Sequence, residues 1–362
     1  MDEQIEARKG EHLRLAAFAD VEATASAGWE DVHLLHEALP AIDLDDVELR
    51  TQFLGGTLRA PLGIAGMTGG HRTAYEVNAV LARAAERFGL AMGVGSQRAA
   101  LRRSDLADTY RVAREQAPTA FLIANIGAPQ LIAQNGARGL TTEELQGAVE
   151  MIKADALAVH LNYLQESVQP EGERRARGVA EAIASLVQIS SKVPVIAKET
   201  GAGMARSTAL RLKDLGVSGL DVGGAGGTSF AAVEGLRAEE QGDSQSQHTG
   251  AVLRDWGIPT PVAVVGACTA GLPVIATGGI RSGLDAAKAL ALGATLVGVA
   301  RPLLQAALAG DAAVEAWLSQ FLRELRTVLF LTGSPDVQTL RSRPRVIVGD
   351  TRAWLTQLGY AP

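Results

Sequence analysis

The sequence has one cysteine, Cys268, so no disulfide can form within a single chain. The residues before it, Ala263-Val-Val-Gly-Ala267, are small and apolar. A lone thiol in such a run reads as a small buried hydrophobe. No apolar run reaches the roughly 18 residues of a membrane span. The first residues, MDEQIEARKGEHLRL, lack the basic-then-apolar order of a secretion signal. A cytoplasmic protein with no membrane partner is therefore expected. Positive charge is not in excess either: 34 Lys+Arg stand against 40 Asp+Glu, a net charge of −6. That leaves no electrostatic case for a general nucleic-acid binder, so an anionic ligand must be met by a local basic cluster. There is no internal repeat of solenoid period and no low-complexity tract.

Glycine, by contrast, is plentiful, at 40 of 362 residues. That suits repeated strand-to-loop turns and close backbone approach to a ligand. Eight short apolar runs recur along the chain: Pro61–Ala65, Leu90–Val94, Ala120–Asn125, Ala156–Leu161, Pro194–Lys198, Gly219–Val222, Pro273–Thr277 and Ala294–Val299. Most are rich in Val, Ile and Leu without polar alternation, as in parallel strands buried on both faces. Helix-like patterns fill the gaps, among them Ala74–Phe88, Arg174–Ser191, Thr208–Leu215 and Leu284–Leu292. Eight alternating units predict an α/β fold of the (β/α)₈ TIM-barrel type, with a doubly wound sheet as the alternative. The chain reads as a single domain, 1–362, with an N-terminal extension over 1–60 and closing C-terminal helices around Ala312–Leu331. Residues 230–250 are polar and read as a mobile loop after the sixth strand.

Active sites of such barrels lie in the loops after the strands. Strand one leads into Gly66-Met67-Thr68-Gly69-Gly70, a turn that lets backbone touch a flat ring. Strand two leads into Gly95-Ser96-Gln97-Arg98, where Ser96 and the Arg98 fork are donors suited to an anion. Strand three ends at Asn125. Strand four ends in His160-Leu-Asn162-Tyr-Leu-Gln165-Glu166. Alternation places His160 and Asn162 on one side, with Gln165 and Glu166 following in the loop. Glu166 is an oxygen ligand of the kind Mg²⁺ takes beside substrate phosphates. Strand five ends at Lys198-Glu199, and a lysine there is costly to bury unpaired. Strands six, seven and eight lead into Gly223–Ser229, Gly278-Gly279-Ile280-Arg281 and Ala300-Arg301. The loops after strands seven and eight are the common phosphate site of this fold. Near the start, Arg8-Lys9-Gly-Glu-His12 is a compact basic cluster, either a solvated tail or a clamp over the mouth.

Taken in order, GMTGGH (66–71), GSQR (95–98), ANIGAPQ (124–130), HLNYLQESVQPEG (160–172), AKETGAGM (197–204), GGAGGTS (223–229) and TGGIRSG (277–283) resemble type 2 isopentenyl-diphosphate isomerase, the flavin-dependent form. The similarity runs from Arg8-Lys9 to about Leu340. Tyr163 departs from it, where proline is more usual. The resemblance implies interconversion of isopentenyl and dimethylallyl diphosphate, an isomerase step of isoprenoid biosynthesis. It implies diphosphate binding by Arg8, Lys9 and His12, with Ser96, Arg98 and Gln165 near substrate and Glu166 on Mg²⁺. It implies FMN held by Gly66, Met67, Thr68, Ser96, Asn125, Lys198, Thr228, Gly279, Ile280, Arg281, Ala300 and Arg301. It also implies NADPH as reductant and a homotetramer or larger assembly. In this reading reduced FMN acts as acid and base, while His160, Asn162 and Gln165 act as catalytic residues that orient the substrate.

Two rivals share the fold. A 2-hydroxy-acid oxidase carries a His base followed by Arg after strand six, and GGAGGTS has neither. A nucleotide dehydrogenase uses a cysteine in a loop after a strand, whereas Cys268 precedes strand seven. A third reading, from another class, is a flavin-binding barrel without catalysis.

Overall fold

The apolar runs pair in chain order as parallel strands. The computed structural model describes residues 2–134, 136–190 and 192–360, with side chains from residue 8 onward. Among these residues eight strands close into one barrel. They are β1 (Leu62–Ile64), β2 (Ala91–Gly93), β3 (Phe121–Gly127), β4 (Ala156–Leu161), β5 (Val195–Glu199), β6 (Gly219–Asp221), β7 (Val274–Thr277) and β8 (Leu296–Val299). Each lies within two residues of the bounds expected from sequence. Closure is made where β8 meets β1, Val297 opposite Leu62 and Val299 opposite Ile64. The barrel itself therefore has no open strand edge. The doubly wound alternative is thereby excluded.

Helices cover the outside. Helix Arg72–Phe88 shows the reason: Ala74, Val77, Leu81 and Ala85 recur at helical spacing and are all buried. It stops at Gly89, which takes the left-handed φ of 63°. The floor of the barrel is plugged by a hairpin, Thr51–Phe53 against Gly56–Leu58. Leu54 and Gly55 at its tip have φ of 47° and 87°, the two positive values of a type I′ turn. Phe53 meets Phe121 edge-on, ring centroids 5.5 Å apart, and packs with Ile123, Ile196, Ile275 and Leu296 inside the barrel.

The extension over 1–60 begins as a helix, α1 (Asp2–Phe18). Further on, Val32–Leu34 pairs antiparallel with Arg345–Ile347, tying the two ends of the chain together. The expected closing helix is present as Asp311–Leu331. After β4 the chain forms a short helix, α2 (Tyr163–Val168), so Gln165 and Glu166 sit on a helical turn and not in an open loop.

One expectation is corrected. Residues 230–250 are not an irregular loop: they form two helices, α3 (Phe230–Glu240) and α4 (Ser244–Val252). Ser229 and Asp243 cap their N-termini. The helices cross where two glycines meet, and a Cβ on Gly250 would stand 2.7 Å from Gly235 Cα. The polar composition misled because α3 buries charged side chains, Glu234 and Arg237, where an apolar stripe is usual.

Among the described residues no helix is long and apolar enough to cross a membrane. The helix Arg301–Ala309 that follows β8 is α5.

Candidate active site

A cavity of about 270 Å³ opens at the C-terminal ends of the strands. Every residue singled out above as a candidate for substrate, cofactor, metal or catalysis lines it, from Arg8 on α1 to Arg301 on α5. The barrel brings together groups that lie hundreds of residues apart in the chain.

The basic cluster is a clamp, not a solvated tail. Lys9 Nζ donates to Gly69 O at 2.9 Å, to Tyr110 Oη at 2.7 Å and to Ser96 O. These three acceptors use all the donors of an ammonium group. Lys9 therefore pins α1 to the mouth and contributes charge there. Burial pushes its pKa down to about 7, with Arg8 and Arg98 adding to the shift. His12 Nε2 lies 2.8 Å from Glu234 Oε1. Arg98 pairs with Glu173, whose other oxygen accepts from Gln130.

On β4, His160 Nδ1 lies 2.8 Å from Asn125 Oδ1. Asn125 spends its amide N–H on Val94 O at 3.0 Å, so its oxygen is the acceptor and His160 Nδ1 carries the proton. Burial, helped by Lys198 and Lys9, pushes the His160 pKa down to about 3. The ring is therefore neutral at physiological pH. Asn162 donates to Gln165 Oε1 at 3.2 Å and to Glu166 Oε1 at 3.0 Å. Its own Oδ1 is buried and finds no partner among the described residues. Glu166 is 6% exposed. Burial raises its pKa, against the N–H of Glu173 and the amide of Asn162.

Lys198 does not pair with the Glu199 carboxylate. It reaches Asp221 Oδ2 on the next strand at 3.0 Å. Thr277 donates to the other Asp221 oxygen. Glu199 turns the other way and accepts from the N–H groups of Gly201, Ala202 and Gly203, fixing the loop after β5.

Sequence reasoning missed Glu234, which is fully buried. Gln165 Nε2 donates to Glu234 Oε1 at 2.7 Å and Arg237 Nη1 donates to Oε2 at 3.2 Å. Burial alone would raise its pKa; His12, Gln165 and Arg237 outweigh burial and bring it to about 2. Arg237 also holds Glu11 at 2.7 Å and Glu171 at 2.6 Å. A charged residue recurring on the inner side of a helix beside Ala and Val was the available signal. The reading of residues 230–250 as a polar mobile loop hid it.

The loops after β6, β7 and β8 fit a phosphate and a flat cofactor. Gly279 has φ +65°, and a Cβ there would stand 2.4 Å from Ala27 Cβ and 2.8 Å from Gly226 O in the loop after β6. Only glycine lets these turns lie backbone against backbone. In the first turn of α5 Pro302 has no N–H, and the N–H groups of Leu303 and Leu304 donate to Ala300 O, so that turn leaves the Arg301 N–H for an anion.

A model of the FMN-dependent dehydrogenase family matches residues 171–346. Over 354 residues the chain is 49% identical to the isopentenyl-diphosphate delta-isomerase of Methanosarcina barkeri, covering 98% of this chain and 95% of the relative. The corresponding protein of Archaeoglobus fulgidus is 47% identical over 348 residues, covering 96% and 97%. The chain belongs to the isopentenyl-diphosphate delta-isomerase family. Its cofactor is FMN, consistent with the glycine cradle above. Among solved structures, a lactate oxidase of Pediococcus acidilactici superposes with TM-score 0.66 at 17% identity, covering 96% of this chain and 94% of that one. A mandelate oxidase superposes with TM-score 0.62 at 20% identity, covering 96% and 97%. At that distance they share the barrel and no more. The loop after β6 in this isomerase-family chain, Gly223–Ser229, has neither histidine nor arginine.

Proposed function

We propose that this site interconverts isopentenyl diphosphate and dimethylallyl diphosphate. The observation that carries the reading is that one cavity is lined both by basic side chains and by uncharged polar ones. Arg8, Lys9, His12 and Arg98 are the basic residues, and His160, Asn162 and Gln165 the polar ones. The diphosphate belongs with the Arg8, Lys9 and Arg98 charges, and the alkene with the uncharged groups.

The reaction adds a proton to the terminal carbon of the double bond and removes one from the carbon beyond it. Atoms balance and there is no net redox change. FMN, when bound and reduced with NADPH as reductant, supplies the acid and base. The chain's own residues position and shield. His160 is held neutral and fixed by Asn125, so it presents an uncharged face to an electron-poor carbon. Gln165 is held between Asn162 and Glu234 and is oriented on both ends. Glu234 places a buried negative charge one hydrogen bond behind Gln165, where it favours positive charge developing on substrate.

Mg²⁺ fits the same reading. Among the described residues no three His, Cys, Asp or Glu side chains form a complete cage. Glu166 is one carboxylate and Asn162 Oδ1 one unpartnered oxygen, a set that suits a cation shared with substrate phosphate and water. A cytoplasmic homotetramer or larger assembly completes the proposal, and sedimentation measures its size.

The test is anaerobic. Dithionite-reduced FMN, Mg²⁺ and isopentenyl diphosphate are added to the protein, and dimethylallyl diphosphate is sought by NMR. The product is expected to appear at catalytic turnover. None formed with reduced FMN bound would overturn the reading.

A further inference from the structure

The segment that joins α1 to the barrel lies across the three phosphate-type loops. Its backbone is laced to the loop after β6: Ser229 N donates to Val21 O at 2.7 Å and Ala23 N to Gly227 O at 2.8 Å. Trp29 Nε1 donates to Gly278 O at 3.1 Å. At its centre, Glu22 Oε1 accepts from Arg281 Nη2 at 2.7 Å and lies 2.9 Å from Arg301 Nη1. One carboxylate thus joins the arginine that follows β7 to the one that follows β8.

Arg301 does more. Its Nε donates to Ala16 O and its Nη2 to Ala19 O, both at 2.8 Å, and Gln305 Nε2 donates to Ala17 O at 2.9 Å. Carbonyls at the end of a helix have no intrahelical partner. Here α5 provides the partners for α1. The Arg301 fork is spent on α1 and Glu22, which leaves the backbone N–H groups of these loops to take a phosphate. Two guanidinium groups on one carboxylate keep a net positive charge beside those N–H groups. Without the carboxylate the two cations repel, and the fork loses its fixed direction toward α1.

We propose that Glu22 is a positioning residue that couples the cofactor-phosphate loops to the docking of α1. Phosphate on the loops fixes Arg281 and Arg301, these fix Glu22 and the end of α1, and α1 carries Arg8, Lys9 and His12 into the cavity. The link from these loops to α1 stands on geometry; its response to FMN and its consequence for a diphosphate rest on the function proposed above. Coupling of this kind is reciprocal.

Hydrogen exchange of the amides of residues 15–19, with and without FMN, tests it. FMN is expected to slow their exchange at least about fivefold in the wild type. In Glu22→Gln, at FMN saturation confirmed by flavin absorbance, the slowing is expected to fall below about twofold and to return in Glu22→Asp. Three results overturn the proposal: no FMN-dependent slowing in the wild type, wild-type slowing in Glu22→Gln, or a Glu22→Gln protein that no longer binds FMN. Inorganic diphosphate added to the FMN-loaded wild type then probes Arg8 and Lys9 separately. No further slowing there would sink the diphosphate assignment and leave the role of Glu22 intact.

Discussion

At the scale of single residues, charge inside the cavity is set by burial as much as by neighbours. Lys9 titrates near 7 because desolvation favours its neutral form. A lowered lysine pKa means that the cation dominates below about 7 and is lost above it. A diphosphate binds the cationic form better, so its binding takes up a proton above that pH. The KM for isopentenyl diphosphate should therefore climb above pH 7, approaching about tenfold per unit. Arginine stays charged throughout this range, so K9R should flatten the climb; a pH series of KM in both proteins decides. A second expectation concerns Gln165, fixed between Asn162 and Glu234. Q165A should lower kcat by about 10- to 100-fold through lost orientation, with FMN absorbance unchanged. H160A should do the same. Undiminished turnover in both variants would remove these residues from the mechanism.

At the scale of elements, legibility in the sequence followed how ordinary each burial pattern is. Parallel strands buried on both faces read as unbroken apolar runs, and all eight could be located. Helices with an apolar stripe, such as Arg72–Phe88, were equally plain. The α3–α4 pair was not, because α3 is tied through its buried Arg237 by ion pairs to Glu11 and Glu171 and meets α4 at a glycine crossing, neither of which raises hydropathy. The Gly235–Gly250 crossing makes a prediction of its own. A Cβ on Gly250 would stand 2.6 Å from Ala231 O, so a larger side chain must push α4 away from α3. G250V should cost about 1–3 kcal/mol by overpacking. Because α3 carries Glu234, the same change should raise the KM for substrate while the barrel still loads FMN. Thermal melts and steady-state kinetics on the flavin-loaded variant test both halves.

At the scale of the molecule, the candidate site was legible wherever its residues cluster in the chain, as from His160 to Glu166. It was hidden wherever contacts span long separations. Gln165 meets Glu234 across 69 residues and Arg237 meets Glu11 across 226. Only the closed barrel brings these together, so no local pattern announces them. Closure also divides labour between the two ends. The upper end collects loops, charges and glycines; the lower end is sealed by an apolar hairpin whose Phe53 is 1% exposed against Phe121. If the ends are independent, damage to the floor should be felt as stability alone. F53A removes a buried ring where the surrounding strands cannot collapse, and should cost about 3–5 kcal/mol. Its melting temperature should fall by several degrees, while the folded, FMN-loaded fraction keeps the wild-type KM. A changed KM in F53A would show instead that packing beneath the strands reaches the mouth, and that the barrel works as one body from floor to cavity.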